Sequence, residues 1–194
     1  MRIQLAVFLA LSWLLCGCEK PQAKFQIPPP QYPTLTLEIL KGLPDEKLES
    51  AVLDHINSKI GEDYDNSFKI VTALSKGFQM VYATWWVEAE VSNGGFNQYF
   101  WNSSGQFRRE ALEGYKLIGA FEHEKIVADA LTTYTSIEGE LKKQQDKGTM
   151  EAFSESYKNN PLNKLDDQFY ALKEDTSALR IKFIRAHLDL FLSK

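Results

Sequence analysis

Cysteine is nearly absent. The chain has two, Cys16 and Cys18, both close to its amino terminus. No disulfide framework can staple the remainder, and no thiol there can serve as nucleophile or metal ligand. Histidine is as sparse: His55, His123 and His187 stand isolated, with no His-Glu-x-x-His or comparable ligand spacing. No metal or other cofactor is expected. A Gly-rich phosphate loop, a Gly-x-Ser-x-Gly elbow and a catalytic cysteine are all missing. Basic charge is in deficit, with a formal net charge of −4. That balance argues against direct nucleic-acid binding, which needs a basic surface. Beyond the first fifteen residues no run is apolar enough to span a bilayer. Alternating strands and internal repeats are lacking too.

What is present begins at the amino terminus. Met1-Arg2 is followed by an apolar stretch from Ile3 to Leu15, then Cys16-Gly17-Cys18. A charged start, a short apolar core and a small residue before a cysteine read as a cleaved secretory signal over residues 1–17. The Leu-x-Gly-Cys ending resembles the bacterial lipobox, where cleavage precedes a lipidated cysteine. Lipidation is therefore expected at Cys18. Each buried CH₂ contributes about 0.8 kcal/mol, so two acyl chains anchor stably where one does not. Cys16 would leave with the signal, so core packing alone must hold the mature domain. Loss of Arg2 takes the basic residues from 22 to 21 against 26 acidic ones, a mild excess. Residues 18–43 read as a tether, with Ile27-Pro28-Pro29-Pro30-Gln31-Tyr32-Pro33 favouring extended polyproline II. A partner could read that run as a ligand, but a spacer is the simpler account.

Residues 44–194 read as one all-α domain, a bundle of about six to eight helices. Pro44-Asp45-Glu46 starts a helix in which Leu48, Val52, Ile56 and Ile60 recur every four residues until Gly61. Asn66-Ser67 caps a long helix carrying Ile70, Leu74, Phe78 and Val81 toward Val91, with Gly77 as a possible bend. Phe107 to Ile118 makes another stripe, ended by Gly119. Val127 to Leu141 is the clearest amphipathic helix. Thr149 caps a short one, Leu162 to Leu172 forms the next, and Thr176 caps the last. Twelve Phe, eight Tyr and four Trp supply the volume of a core.

Residues 85–105 differ from the rest. They hold Trp85, Trp86 and Trp101, the pair Gly94-Gly95, and the amides Asn93, Asn97, Gln98 and Asn102. Asn93-Gly94 is a helix stop, since both residues tolerate left-handed backbone, and Gly95 permits a turn or a close approach. Phe96, Tyr99 and Phe100 can then face the core. The amides could present themselves to a ligand. The reading favoured here is that they satisfy orphan groups at helix ends. The tryptophans could line a pocket, but core packing is favoured. Adjacent Trp85 and Trp86 cannot both point inward, so one is expected at the surface as a contact hot spot. Glu88 and Glu90, two apart on a helix, do not share a face and make no acid–base pair. Glu90 is expected to accept hydrogen bonds near the turn. His123, between two glutamates, is expected to be solvated.

The residues Glu90, Asn93, Gly94, Gly95, Phe96, Gln98, Tyr99, Phe100, Asn102, Ser104 and Gly105, with Ile118-Gly119-Ala120 downstream, resemble the DMP19-like family. One member of that family is a neisserial DNA mimic. The resemblance implies an all-helical fold and a protein-binding role, and no catalytic residues. A DNA mimic needs dense, regular carboxylates. Residues 45–65 hold seven acids, but Lys47 and Lys59 interrupt them. At one charge per ~1.7 Å of axis, DNA is far denser, and a solvated face explains the run better.

The expectation is a lipid-anchored protein of the bacterial cell envelope, facing the periplasm. Its role would be to bind another envelope protein without catalysis, and a toxin-neutralising immunity protein is one form of that role. The competing class is a hydrolytic enzyme or small-ligand binder built on residues 85–105. A pocket where Glu90, Asn93, Gln98 and Asn102 converge would favour it.

Overall fold

The computed structural model describes residues 29–193. Cys18, the signal and the first part of the tether lie outside them. The described residues form an all-α bundle of nine α-helices and three short 3₁₀ turns, with no strand.

The first element falls within the expected tether. Helix α1 (Leu37–Gly42) is capped by Thr36, whose hydroxyl accepts from the Ile39 amide at 3.2 Å. Leu35 and Leu40 are fully buried, and the Ser193 amide donates to the Leu35 carbonyl at 2.9 Å. The packed domain thus begins before residue 43. Apolar residues at 35 and 40 draw this segment onto the bundle, and a helix of six residues is too short for periodicity to register.

Helix α2 (Asp45–Ile60) runs between the expected signals and ends at Gly61, φ 57°. The long helix read onward from Asn66 is divided in two: α3 (Ser67–Thr72) and α4 (Lys76–Trp101). The Gln79 side chain marks the division, donating to the Thr72 and Leu74 carbonyls at 2.9 and 2.8 Å. These end the first helix in place of backbone donors. Gly77 does not bend α4. It lies in the first turn, where a Cβ would come within 2.8 Å of the Phe191 ring.

Helix α4 is the axis of the fold. Residues 77–84 are buried on every side, the pattern of a helix surrounded by others. Around it pack α2, α3, α5 (Arg108–Ile118), α6 (Phe121–Gln145) and α8 (Asn163–Ala171). Gly119, φ 75°, ends α5 as expected. Thr149 caps α7 (Met150–Glu155) through the Ala152 amide. The cap of α9 (Thr176–Ala186) is Asp175, which accepts from the Ala178 amide at 2.9 Å, one residue ahead of the expected Thr176. Phe191 then folds back, edge-on to Phe78 at 5.5 Å.

Candidate functional site

The helix stop at Asn93-Gly94 is a break inside α4. Gly94 has φ −159°, ψ 27°, and Gly95 has φ 71°, ψ −179°. The second pair is open to glycine almost alone. Breaking a helix frees carbonyls before the break and amides after it. Side chains from far along the chain take them up. The Tyr170 hydroxyl donates to the Val91 carbonyl at 2.7 Å, and the Tyr157 hydroxyl to the Gly94 carbonyl at 2.8 Å. The Phe96 amide donates to the Asp166 carboxylate at 2.7 Å. Asp166 thereby caps the second half of α4, where the helix dipole favours an anion. Burial raises its pKa and the Phe96 amide opposes that rise, while Asp167 adds to it. A Cβ on Gly95 would stand 2.3 Å from Asp166 Oδ2, so this close approach requires glycine. Asn97 joins the same seam, donating to Ser156 Oγ at 2.7 Å and accepting from Asn160 at 2.8 Å.

The amides around the break converge on Glu90. Gln98 Nε2 and Asn102 Nδ2 donate to Glu90 Oε2 at 2.7 and 2.8 Å, and the Ser104 hydroxyl donates to Oε1 at 3.1 Å. Asn93 Nδ2 donates in turn to Gln98 Oε1 at 3.0 Å. In a straight helix residues 90 and 98 would stand about 12 Å apart along the axis. The turn at Gly94-Gly95 brings them into contact. Glu90 is buried, Gln98 and Asn102 are half-buried, and Asn93 is exposed. Both carboxylate oxygens are engaged, an arrangement that fixes the joint and leaves no idle general base. None of Glu90, Asn93, Gln98 and Asn102 lines the cavities between α4 and α5, between α6 and α7, or beside α1.

The aromatic residues divide between interior and surface. Phe96, Tyr99 and Phe100 are buried, and Phe100 stacks on Tyr134 at 4.1 Å. Trp85 and Trp86 are both half-buried and meet edge-to-face at 5.2 Å. Trp86 also contacts Tyr82 at 6.0 Å, and Trp101 packs on Phe153 at 5.1 Å. Of the two neighbours Trp86 packs against the core and Trp85 does not, the division expected for adjacent residues on a helix.

Sequence reasoning missed a buried ion cluster. Arg180, 1% exposed, grips two carboxylates. Its Nε and Nη2 reach Glu49 at 3.2 Å each, and its Nη1 and Nη2 reach Glu88 at 2.5 and 3.0 Å. Nη1 also approaches Thr84 Oγ1 at 3.5 Å. All five guanidinium donors are thus engaged. Burial works against the guanidinium's charge, but Glu88 and Glu49 outweigh it and hold the pKa above its ordinary value. The cluster ties α2, α4 and α9 together. It also explains why Glu88 and Glu90 turn apart: one meets Arg180, the other the amides. The signal was an arginine four residues from both Thr176 and Ile184, in line with the buried face of α9.

The histidines also serve structure. His123 is buried, not solvated as expected. Its Nδ1 lies 2.8 Å from Glu174, its ring stacks on Tyr115 at 5.4 Å, and Glu174 also accepts the His123 backbone amide at 3.1 Å. His55 is buried against Phe78, with Nδ1 3.0 Å from the Pro33 carbonyl and Nε2 3.4 Å from Ser193 Oγ. Among the described residues no three His, Cys, Asp or Glu side chains gather as metal ligands would.

Comparison with curated proteins and with solved structures gives no significant match. A family model does match. Described as DMP19-like protein, it covers residues 72–187, which include the break in α4, the Glu90 cluster, Glu88 and Arg180. The chain belongs to the DMP19-like family.

Proposed function

We propose that this protein is a lipid-anchored component of the bacterial cell envelope whose helical domain binds another envelope protein. The observation that carries the reading is the contrast along α4. Gln98, Asn102 and Ser104 turn onto Glu90, while Trp85 and Trp86 are only half-buried. Tryptophan supplies a large rigid contact area at low entropic cost, and interface hot spots are enriched in it. The amide cluster, with its carboxylate already bonded, gives a hydrolytic role in this segment no free base. No enzymatic activity is known for the family.

The lipobox at Cys18 supports the anchor, and no helix among the described residues is long and apolar enough to cross a membrane. The acidic run gives a DNA-mimic role little support. Glu49 is held by Arg180, Asp54 accepts the Tyr32 amide, and Asp45 pairs with Arg185 at 2.7 Å. These carboxylates are bound at fixed places in the fold and do not form an open row. A toxin-neutralising partnership in the periplasm is one form the binding can take.

Two measurements test the proposal. Mass spectrometry of the mature protein should find acylated Cys18 at its amino terminus, and Cys18→Ser should abolish acylation. An unmodified Cys18 within a longer chain would remove the anchor from the account. Affinity capture from the envelope should recover a protein partner that is lost on Trp85→Ala, Trp86→Ala substitution and retained at high salt. A DNA-binding protein recovered at low salt and competed by duplex DNA would replace this reading.

A further inference from the structure

Independently of the Trp85–Trp86 surface, we propose that the cavity between the start of α4 and α5 binds a small zwitterion with an apolar side chain: a free apolar amino acid or a short peptide. The cavity measures about 550 Å³, within the range of small-molecule sites. Its back wall is apolar. Gly114 brings α5 so close to α4 that a Cβ would meet Thr84 Cγ2 at 2.8 Å and Met80 Cγ at 3.0 Å. Met80 lines the interior, and Leu117, 51% exposed, stands at the mouth.

The polar atoms are arranged for both ends of such a ligand. Gln79 is 7% exposed. Its amide hydrogens are fixed on the Thr72 and Leu74 carbonyls. That orientation leaves Oε1 for the cavity Gln79 lines, and no described residue donates to it. Glu110 lines the same cavity, and its carboxylate has no ion pair among the described residues. An ammonium group would answer both acceptors. The cations of the lining are Lys76 and Lys116. Lys76 is paired with Glu113 at 3.2 Å, while Lys116 has no ion pair among the described residues. Glu110 and Lys116 therefore remain as one unmatched charge of each sign. A simple amine would leave the lysine unanswered, and a simple carboxylate would leave the glutamate so. A zwitterion satisfies both, with its side chain against Met80 and Leu117.

The test uses the full chain in detergent, labelled at its methionine methyl groups. Titration with L-leucine and with L-leucyl-L-leucine should shift the Met80 resonance and leave that of Met150, which is 72% exposed, unmoved. At least one probe should bind with a Kd below ~10 mM and about tenfold tighter than isoamylamine or 4-methylpentanoate. Lys116→Met, an exposed substitution, should remove the preference for the zwitterion over isoamylamine, and Glu110→Gln its preference over 4-methylpentanoate. No Met80 shift with either probe, or equal affinity for the single-charge analogues, would overturn the proposal. Capture of a protein partner through Trp85 and Trp86 would be unaffected by either result.

Discussion

At Gly95 the backbone sits at φ 71°, ψ −179°, with Asp166 against its α-carbon. Replacement by valine has no relaxed conformation there and no space, so Gly95→Val should destabilise the domain by about 1–3 kcal/mol. An unchanged melting temperature would refute that role. Glu90 is the second residue on which the joint depends. Glu90→Ala would strand the Gln98, Asn102 and Ser104 donors, at a cost of about 1–3 kcal/mol or more. Glu90→Gln keeps the shape but loses the charge and should fall between alanine and wild type in urea denaturation. Equal stability of all three would show the cluster to be solvated. Asn93, Gly94 and Gly95 announced this turn in the sequence because their backbone preferences are local. The groups that complete it did not: Tyr157, Asp166 and Tyr170 lie 63 to 79 residues from their acceptors and donors. Nothing local distinguishes a tyrosine that reaches a broken helix from one that packs on a neighbour.

Helices were legible where period, cap and stop agree. α2 has Pro44-Asp45, a four-residue apolar rhythm and Gly61, and α5 ends at Gly119 for the same reason. α1 hides in the expected tether because its six residues follow a proline run. The division of α3 from α4 escaped because apolar spacing continues through Leu74, while the break is held by Gln79 from the next helix. What binds elements to one another was least visible. Glu49, Glu88 and Arg180 come from three helices, and only the fold assembles them. Arg180→Met would leave two carboxylates facing each other in the interior, with a loss of about 3–5 kcal/mol. Adding Glu49→Gln and Glu88→Gln should restore much of that loss, since uncompensated charge is the larger part of it. Denaturation midpoints of the single, double and triple variants check this. A strictly additive series would contradict a coupled cluster.

Across the whole molecule, the two ends of the described chain meet at His55. Pro33 and Leu35 lie on one side, and Ser193 on the other. Burial lowers the His55 pKa from its ordinary 6.5, with Lys59 acting in the same direction and the Pro33 and Tyr32 backbone and Asp54 opposing. The unfolded chain therefore takes up a proton that the fold resists. The stability from neutral His55 is present above pH 6.5 and is lost as pH falls through the lowered value. Between pH 7.5 and 5.5, flanking that ordinary value of 6.5, the wild type should lose more melting temperature than His55→Asn. Parallel slopes would remove His55 from the account.

The family was readable from the residues between Glu90 and Ala120 and the helical architecture from apolar periodicity along residues 44–194, but the binding surface is a matter of what faces outward. The central claim is that the amides beside the α4 break are bonded within the joint, while Trp85 and Trp86 meet a partner. Site-specific photo-crosslinking on the anchored protein in its own envelope tests it most directly. A photoreactive residue at position 85 or 86 should give one discrete protein adduct, and the same residue at exposed position 150 should give none. No adduct at either tryptophan position, or the same adduct from all three, would contradict the account.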